Sequence, residues 1–265
     1  MIDVHAHFYH PASGRPDWAE RNQSRLDAGD RIGVRWHVAS ILGSWGRTSP
    51  TYFPSPADLS VANDALVGLA AQHGRIRGYV AVNPNFTAHA LAEIDRGLAA
   101  GMVGIKLAAS RRATDPLLDP IADAARVNGV PILHHVWQHR RREWPGQEAS
   151  DGAELSALAR RHPAVPFILA HIGGGGDWLH TLAVVRPVAN VFVDLSGSGV
   201  DGGMLERCLA AVGVERLLWG ADLTLCTGLA KYRYLERILS AGDLDRIAGR
   251  NAAGIFPAGA FGETQ

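Results

Sequence analysis

Residues Ile2–Phe8 read IDVHAHF, and this stretch decides how the rest of the chain is interpreted. The short apolar run predicts a β-strand, and His5 and His7 stand two positions apart on it, so both side chains point to the same face. Two imidazoles buried side by side are costly to desolvate unless something binds them. Neutral imidazole is a ligand for zinc and similar ions. The pair therefore indicates a metal site, with hydrogen-bonded core histidines as the alternative.

Compact apolar runs of the same kind recur along the 265 residues and predict eight strands. They are Ile2–Phe8, Val34–Leu42, Ile76–Asn83, Val103–Ala108, Val130–Val136, Val165–His171, Val191–Leu195 and Leu217–Ala221. Helical patterns lie between them, among them Pro56–Gln72, Thr87–Ala100, Pro120–Asn128, Gly152–Arg161 and Gly203–Val212. Alternating strands and helices are typical of a parallel α/β fold, and eight units predict one (β/α)8 TIM barrel over residues 1–265. A doubly wound open sheet remains the competing architecture, because the sequence does not reveal strand order.

Composition narrows the functional classes. Apolar residues make up 47% of the chain and charged residues 20%, which favours a globular fold with a sizeable core. Basic and acidic residues balance at 26 each, so no overall field favours nucleic acid or an anionic membrane. No apolar run reaches the roughly 20 residues that span a bilayer, and no secretory signal is visible, so we expect a cytoplasmic protein with a small-molecule substrate. Cys208 and Cys226 are too few for a disulfide framework and are interpreted as ordinary thiols.

Further polar residues stand at or near the ends of other predicted strands. His135 closes one strand, His171 closes the next, Asp222 follows the last, and Lys106 stands near the end of the fourth. Catalytic barrels place their functional side chains at the carboxyl ends of several strands. These four residues therefore join His5 and His7 as candidates, while Asp194, within the seventh strand, is interpreted as a buried, hydrogen-bonded support.

Two long loops follow the second and fifth predicted strands, on the face where barrel active sites are built. Their candidate substrate-binding residues are Trp45, Arg47, Trp137 and Arg140. An arginine there would hold a substrate carboxylate or phosphate by a bidentate contact, although a solvated loop is the simpler explanation of the arginine run. The glycines in HIGGGGDW and LSGSG are interpreted as tight turns that leave room for a pocket, with a phosphate cradle as the alternative.

The chain resembles the amidohydrolase superfamily, most closely the small branch that includes aminocarboxymuconate-semialdehyde decarboxylase. The matching pieces, in the family's order, are IDVHAHF, GIKL, PILHHVW, LAHIGGG, WGAD and RIAGRNAAGIF. The resemblance implies a distorted (β/α)8 barrel in which one divalent ion, zinc, is held by His5, His7, His135 and Asp222. It also implies that His171 lies beside the attacking water as an acid/base or orienting group. It selects His135 over His134, because in similar chains the ligand stands four residues after the proline that opens the strand.

The number of metal ions stays open at this point. In binuclear members of the superfamily a lysine on the fourth strand is carboxylated and bridges two metals, and the sixth-strand histidine is a further ligand. Lys106 and His171 stand in roughly those places, although GIKL also occurs in the branch taken to be mononuclear. One ion is the preferred prediction and two the alternative. Similar proteins are often dimers, so a homodimer is possible.

The predicted activity is hydrolysis of a C–N or C–O bond in a small carbonyl or carboxylate compound such as an amide, lactone or ester. Asp222 would ligate the metal and take a proton from water, and His171 would assist the leaving group or oxyanion. The alternative is metal-dependent, non-oxidative decarboxylation of an unsaturated or aromatic acid. A Schiff-base aldolase built on Lys106 leaves His5, His7 and Asp222 unexplained. A non-catalytic binding barrel would not need a full ligand set.

Overall fold

Eight parallel strands follow one another in chain order in the computed structural model, which describes residues 1–138, 147–199 and 201–262. The strands are β1 (Ile2–His7), β2 (Trp36–Ser40), β3 (Ile76–Val82), β4 (Gly104–Leu107), β5 (Ile132–His134), β6 (Phe167–Leu169), β7 (Val191–Asp194) and β8 (Leu217–Leu218). The chain just after β8 returns to β1, where Ala6 and Asp222 form a parallel bridge. Consecutive strand order with this closure confirms the (β/α)8 barrel and excludes the doubly wound sheet.

Helices surround the barrel on the outside of the strands. They are α1 (Trp18–Ile32), α2 (Pro56–Gln72), α3 (Thr87–Ala99), α4 (Asp119–Asn128), α5 (Gly152–Arg161), α6 (Trp178–Val185), α7 (Met204–Val212), α8 (Leu225–Ile238), α9 (Ala241–Asp245) and α10 (Asn251–Ile255). Local sequence explains several boundaries. The Ser55 hydroxyl accepts the Asp58 N–H at the start of α2, and Gly129 ends α4 in a left-handed conformation. Among the described residues, no helix is both long and apolar enough to cross a membrane.

Two apolar layers hold the barrel together. The larger one fills the space between strands and helices, and the smaller one includes buried side chains from successive strands such as Val4, Val38, Leu133 and Ile168. Tyr79 is fully buried and donates its hydroxyl hydrogen to the Val4 carbonyl at 2.8 Å. Alternate residues of each strand therefore pack into different layers, and the same alternation decides the direction of the polar side chains on these strands.

The barrel is distorted around β1 and β8. The register between β1 and β2 shifts between Asp3 and Ala6, and β8 is only two residues long. Several strands are shorter than the apolar runs predict. At these ends the chain leaves the strand conformation, although its hydrogen bonds to the neighbouring strand continue. For example, the His135 N–H still donates to the Leu107 carbonyl at 2.9 Å, although β5 ends one residue earlier.

The segment RIAGRNAAGIF has a structural role. Residues Arg246–Arg250 form a π-helical turn that joins α9 to α10. The Asn251 amide then donates to the carbonyls of Val214 and Leu217, at 2.7 and 2.8 Å. These bonds fasten the last helices to the start of β8, and so support the strand that precedes Asp222.

Candidate metal centre and active site

His5, His7 and Asp222 come together at the carboxyl end of the barrel. One ligand atom from each lies within 4.8 Å of the other two. The Nε2 atoms of the two histidines are 3.2 Å apart, and the Asp222 Oδ1 atom lies 3.4 Å from the His7 Nε2 atom. Two imidazoles and a carboxylate converging on one point form a donor set that suits a divalent ion.

His135 and His171 lie beside this cluster and face each other. The His135 Nδ1 and His171 Nε2 atoms are 3.0 Å apart, and the His171 ring stacks on the His5 ring at 5.7 Å between centroids. The His135 Nε2 and His171 Nδ1 atoms are buried without a hydrogen-bond partner among the described residues. Since buried polar atoms are normally paired, these two orphaned nitrogens fit a centre that receives a further group.

A second set of residues orients the histidines. Asp194 is fully buried and its Oδ2 atom accepts a hydrogen bond from the His5 Nδ1 atom at 2.8 Å and from the His171 N–H at 3.0 Å. The carbonyl of Ser40 accepts from the His7 Nδ1 atom at 3.2 Å. Both Nε2 atoms are thereby directed at the centre, which is the arrangement that metal-ligating histidines use. Asp194 is the buried, hydrogen-bonded support that its position in the sequence predicts.

Burial sets the charge of the site. It lowers the pKa of His7 and of His171 to about 4, so both are neutral at pH 7 and able to act as ligands or proton acceptors. Burial by itself would raise the pKa of Asp222, but its charge interaction with His5 and its hydrogen bond with His7 hold that pKa well below its usual range. His7 and His171 therefore offer neutral imidazoles and Asp222 an ionised carboxylate, the protonation states that a metal requires.

Lys106 projects into the same centre from β4. Its side chain is fully buried, and its Nζ atom lies 3.3 Å from the His5 Nε2 atom. Burial lowers the pKa of the Lys106 ammonium group to about 8. An uncharged amine is therefore more accessible here than at a surface lysine.

A cavity of about 280 Å³ opens directly above the cluster. His7, His135, His171 and Asp222 form part of its lining. Its aromatic lining residues Trp45, Tyr52 and Trp137 each lie close to one of these histidines: the ring centroids are 5.4 Å apart for His7 and Trp45, 5.2 Å for Tyr52 and His135, and 4.7 Å for His135 and Trp137. A site of this size and lining suits a small, flat molecule held against the cluster of His5, His7 and Asp222.

Comparison with known proteins identifies the family. The family model described as amidohydrolase matches residues 2–258, nearly the whole chain. The chain belongs to the amidohydrolase family. No curated protein matches it. This membership establishes that the chain is an enzyme of the amidohydrolase family.

Several solved structures share the fold at low sequence identity. The 5-carboxyvanillate decarboxylase from Sphingomonas paucimobilis is 19% identical, with a TM-score of 0.70 over 96% of this chain and 98% of that one. A dihydroxybenzoic acid decarboxylase from Polaromonas sp. JS666, with bound manganese and 2-nitroresorcinol, is 17% identical, with a TM-score of 0.67 over 96% and 97%. A protein assigned as 2-pyrone-4,6-dicarboxylic acid hydrolase, from Pseudomonas putida, is 17% identical, with a TM-score of 0.66 over 96% of each chain.

The remaining predicted site residues of this amidohydrolase lie in different places. Trp45 and Trp137 line the cavity, whereas Arg47 is exposed, does not line it, and packs its side chain against Gly14. Arg140 lies outside the described residues. The substrate-binding role predicted for these side chains stays a prediction.

The glycine-rich loops after β6 and β7 bind each other. The Gly173 N–H donates to the Ser196 carbonyl at 3.1 Å, and the Gly199 N–H donates to the Gly173 carbonyl at 2.7 Å. A Cβ atom on Gly197 would lie 2.5 Å from the backbone of the facing loop, so only glycine allows this approach. These contacts favour the tight-turn interpretation over the phosphate cradle, because these two amides are already bonded.

Backbone strain marks the site. Among the described residues, four that are not glycine have a left-handed backbone: Trp45, Ala109, His171 and Asp222, with φ of 55°, 65°, 40° and 54°. Three of these residues line the cavity above the histidine cluster. Such conformations cost of order 1–3 kcal/mol each and persist only where surrounding contacts impose them.

Sequence reasoning missed a group of residues around Asp3. This aspartate is fully buried two positions before His5, so the same alternation that paired the histidines could have placed it on their face. Its partner Arg25 on α1, and two further arginines near the site, Arg15 and Arg21, carry no local signal. Only the tertiary structure brings these arginines near the site, because α1 packs beside the end of β8.

Proposed function

We propose that this amidohydrolase is a metal-dependent hydrolase that activates water to cleave a C–O or C–N bond in a small carbonyl compound that also carries a carboxylate. Lactones, esters and amides are the substrate classes that fit. The observation that carries the proposal is the position of Asp222. Its carboxylate lies against His7 at the metal cluster while 25% of the side chain remains exposed, so it reaches both a metal and a molecule in the cavity.

One zinc ion would be held at the centre by His5, His7, His135 and Asp222. The first three of these residues are imidazole ligands and the last an anionic ligand, a set of the kind used in catalytic zinc sites. The orphaned His135 Nε2 atom supports its inclusion. When bound, a divalent ion would supply activation of water at neutral pH and Lewis-acid polarisation of a substrate carbonyl.

The protein side chains carry the proton transfers. Asp222 is ionised and accepts the proton of the attacking water, since its pKa lies well below the usual range. His171 is neutral, and its imidazole lies beside His5 and His135 at the cavity wall. The proton taken up by Asp222 then goes to the leaving oxygen or nitrogen as the bond breaks, and the neutral His171 ring relays it there. Its strained backbone, with φ of 40°, and its N–H bond to Asp194 fix the ring in place.

A cationic cavity next to the site supports a carboxylate-bearing substrate. This second cavity, of about 250 Å³, shares His7 and Leu223 with the catalytic cavity. Arg15, Arg21 and Arg25 line it, and none of its lining residues is acidic. Arg25 is already bound to Asp3 and to the Asp222 carbonyl, whereas Arg15 and Arg21 share the single carboxylate of Asp17 and carry an excess positive charge. Guanidinium groups bind carboxylates in bidentate fashion, so an anionic group on the substrate is favoured at this side of the metal.

Decarboxylation of an unsaturated or aromatic acid is the second candidate. The observation that favours it is the aromatic lining of Trp45, Tyr52 and Trp137, which suits a planar ring. Two of the proteins that share the fold are decarboxylases of 5-carboxyvanillate and dihydroxybenzoic acid. In this reaction Asp222 would hold the proton that the ring carbon receives when CO2 leaves.

An assay of two substrate panels separates the candidates. We expect the zinc-loaded protein to release acid from unsaturated lactones that carry a carboxylate, measured by pH-stat titration, and to release no CO2 from hydroxybenzoates. Lactones without the carboxylate should show a KM at least tenfold higher, because the arginine cavity then binds nothing. Chelated protein is the control and should be inactive. Release of CO2 without hydrolysis would replace the hydrolase proposal by the decarboxylase.

Metal content tests the mononuclear proposal. We expect about one zinc ion per chain by elemental analysis, and an intact mass without a CO2 adduct on Lys106. The reason is that His5, His7 and Asp222 already converge on one point. Lys106→Met should leave this stoichiometry at one. Two ions per chain, falling to one or none in Lys106→Met, would instead establish the carboxylated, binuclear centre.

A further inference from the structure

The main chain of Asp222 is held from two sides. Its φ of 54° is left-handed, an uncommon conformation for a residue other than glycine, which surrounding contacts help to maintain. Its N–H donates to the His5 carbonyl at 2.6 Å. Its own carbonyl accepts a hydrogen bond from the Arg25 NH1 group, also at 2.6 Å. His5, a proposed metal ligand, therefore holds the peptide group before Asp222, and Arg25 of helix α1 holds the peptide group after it.

Arg25 reaches this carbonyl from α1 and is almost completely buried, with 9% of its side chain exposed. The other end of its guanidinium group, NH2, donates to the Asp3 Oδ2 atom at 2.7 Å. Asp3 is fully buried, and its Oδ1 atom accepts the N–H groups of Ala221 and His5, at 2.9 and 3.2 Å. The Nδ1 atom of buried His37 lies 3.3 Å from the Asp3 Oδ2 atom.

These bonds join the two segments that carry the metal ligands. The Asp3 carboxylate ties β1 to the residue before Asp222, and the guanidinium group continues the connection to Asp222 itself. Among the described residues, the main-chain bonds between β1 and the chain after β8 are few, because β8 ends at Leu218: the Val4 N–H donates to the Trp219 carbonyl and the Asp222 N–H to the His5 carbonyl, at 3.1 and 2.6 Å. The direction of the Asp222 carboxylate therefore depends on side-chain bonds in addition to this short ladder.

We propose that Arg25 is a positioning residue for the metal centre: it fixes the main chain of Asp222 and thereby directs its carboxylate toward His7 and His5. The inference rests on the proposed role of Asp222 as a metal ligand. Arg25 itself touches neither the cluster atoms nor the reacting bond. A planar guanidinium group suits the task because its NH1 and NH2 groups point to two acceptors in fixed directions, which a single ammonium group does not reproduce.

The test compares Arg25→Lys with the parent protein. Lysine keeps a positive charge beside Asp3, so the buried carboxylate stays compensated and the fold is retained. We expect zinc affinity, measured by competition with a chromophoric chelator, to fall by about 10–100-fold. The visible absorption spectrum of the Co²⁺-substituted protein should change in band position or intensity, and kcat should fall while KM stays near the parent value.

The matched control is Arg31→Lys, the same substitution at an exposed position of the same helix. It should leave metal affinity and the cobalt spectrum unchanged. A second variant, Asp3→Asn combined with Arg25→Met, removes the buried pair without leaving a lone charge and also removes the donor to the Asp222 carbonyl. It should show the same loss of affinity and the same spectral change.

The outcomes separate this inference from the proposed function. If folded Arg25→Lys binds zinc and Co²⁺ as the parent does, with the parent spectrum, the positioning role is wrong even if hydrolysis is confirmed. If the double variant keeps the parent cobalt spectrum and loses only thermal stability, Arg25 has a merely structural role. If the parent protein binds no divalent ion, the proposed function fails, and the positioning role fails with it.

Discussion

Replacing Asp222 with asparagine is expected to lower kcat/KM by about 10³-fold, within the range that positioned proton transfer contributes. Asparagine keeps the size of the side chain and the two main-chain bonds to His5 and Arg25. It removes the negative charge beside His7 and the group that accepts a proton in the cavity. Metal affinity should fall as well, because the anionic ligand is lost. Steady-state kinetics at saturating zinc, with zinc affinity measured separately, distinguishes the two losses.

Asp201→Asn provides the control for this experiment. Asp201 follows β7 on the same face of the barrel, but it accepts a hydrogen bond from the Trp178 indole at 2.8 Å and lines a different cavity. Its substitution should leave kcat/KM within a factor of two of the parent. Retention of more than a tenth of the parent activity in Asp222→Asn would contradict the role given to that carboxylate.

The metal-free protein is expected to lose most of its stability between about pH 6.5 and pH 4. Burial lowers the pKa of His7, His134 and His171 to about 4, whereas an unfolded histidine titrates near 6.5. In this window the unfolded chain binds more protons than the folded chain, so the free energy of unfolding decreases as the pH falls. Each histidine contributes up to about 1.4 kcal/mol per pH unit, and three contribute roughly 4 kcal/mol per unit, against a typical total of 5–15 kcal/mol.

Urea unfolding of the chelated protein at pH 7, 6 and 5 measures this dependence. His134→Leu isolates one contribution, because His134 is fully buried, its Nε2 atom has no partner among the described residues, and leucine does not titrate. The slope of unfolding free energy against pH should decrease by up to about 1.4 kcal/mol per unit in this variant. A parent protein whose stability is the same at pH 7 and pH 5 would show that these histidines are not buried in the neutral form.

Much of the barrel and part of the site followed from local patterns. The two-residue period of a strand puts His5 and His7 on one face whatever surrounds them, and it is set by backbone geometry alone. The order of strands and helices predicted the barrel, and the barrel in turn brings residues such as Asp222 and His171 to the same end. His135 was a candidate from its place at the end of the fifth predicted strand, and the family pieces selected it over His134; it lies just after β5, beside His171.

Other features depend on how distant elements pack, and no local pattern reports them. Arg25 and Asp222 are 197 positions apart, and their bond exists only because α1 packs beside the point where the barrel closes. Arg47 and Arg15 look alike in the sequence, yet Arg47 is exposed outside the catalytic cavity and Arg15 lines the cationic one. Loop conformation decides that difference, and loops are governed by tertiary contacts more than by their own sequence.

His5 and His7 illustrate which features the sequence determined and which the tertiary structure decided. By itself the sequence determined that both imidazoles share a face, since alternation along a strand requires it. Only the tertiary structure decided what they meet there: Asp222 from the far end of the chain, Asp194 behind His5, and an aromatic cavity above. The physical reason is that side-chain direction is fixed by the local backbone. The distances between ligands depend on barrel closure and on register between strands that are far apart in the chain.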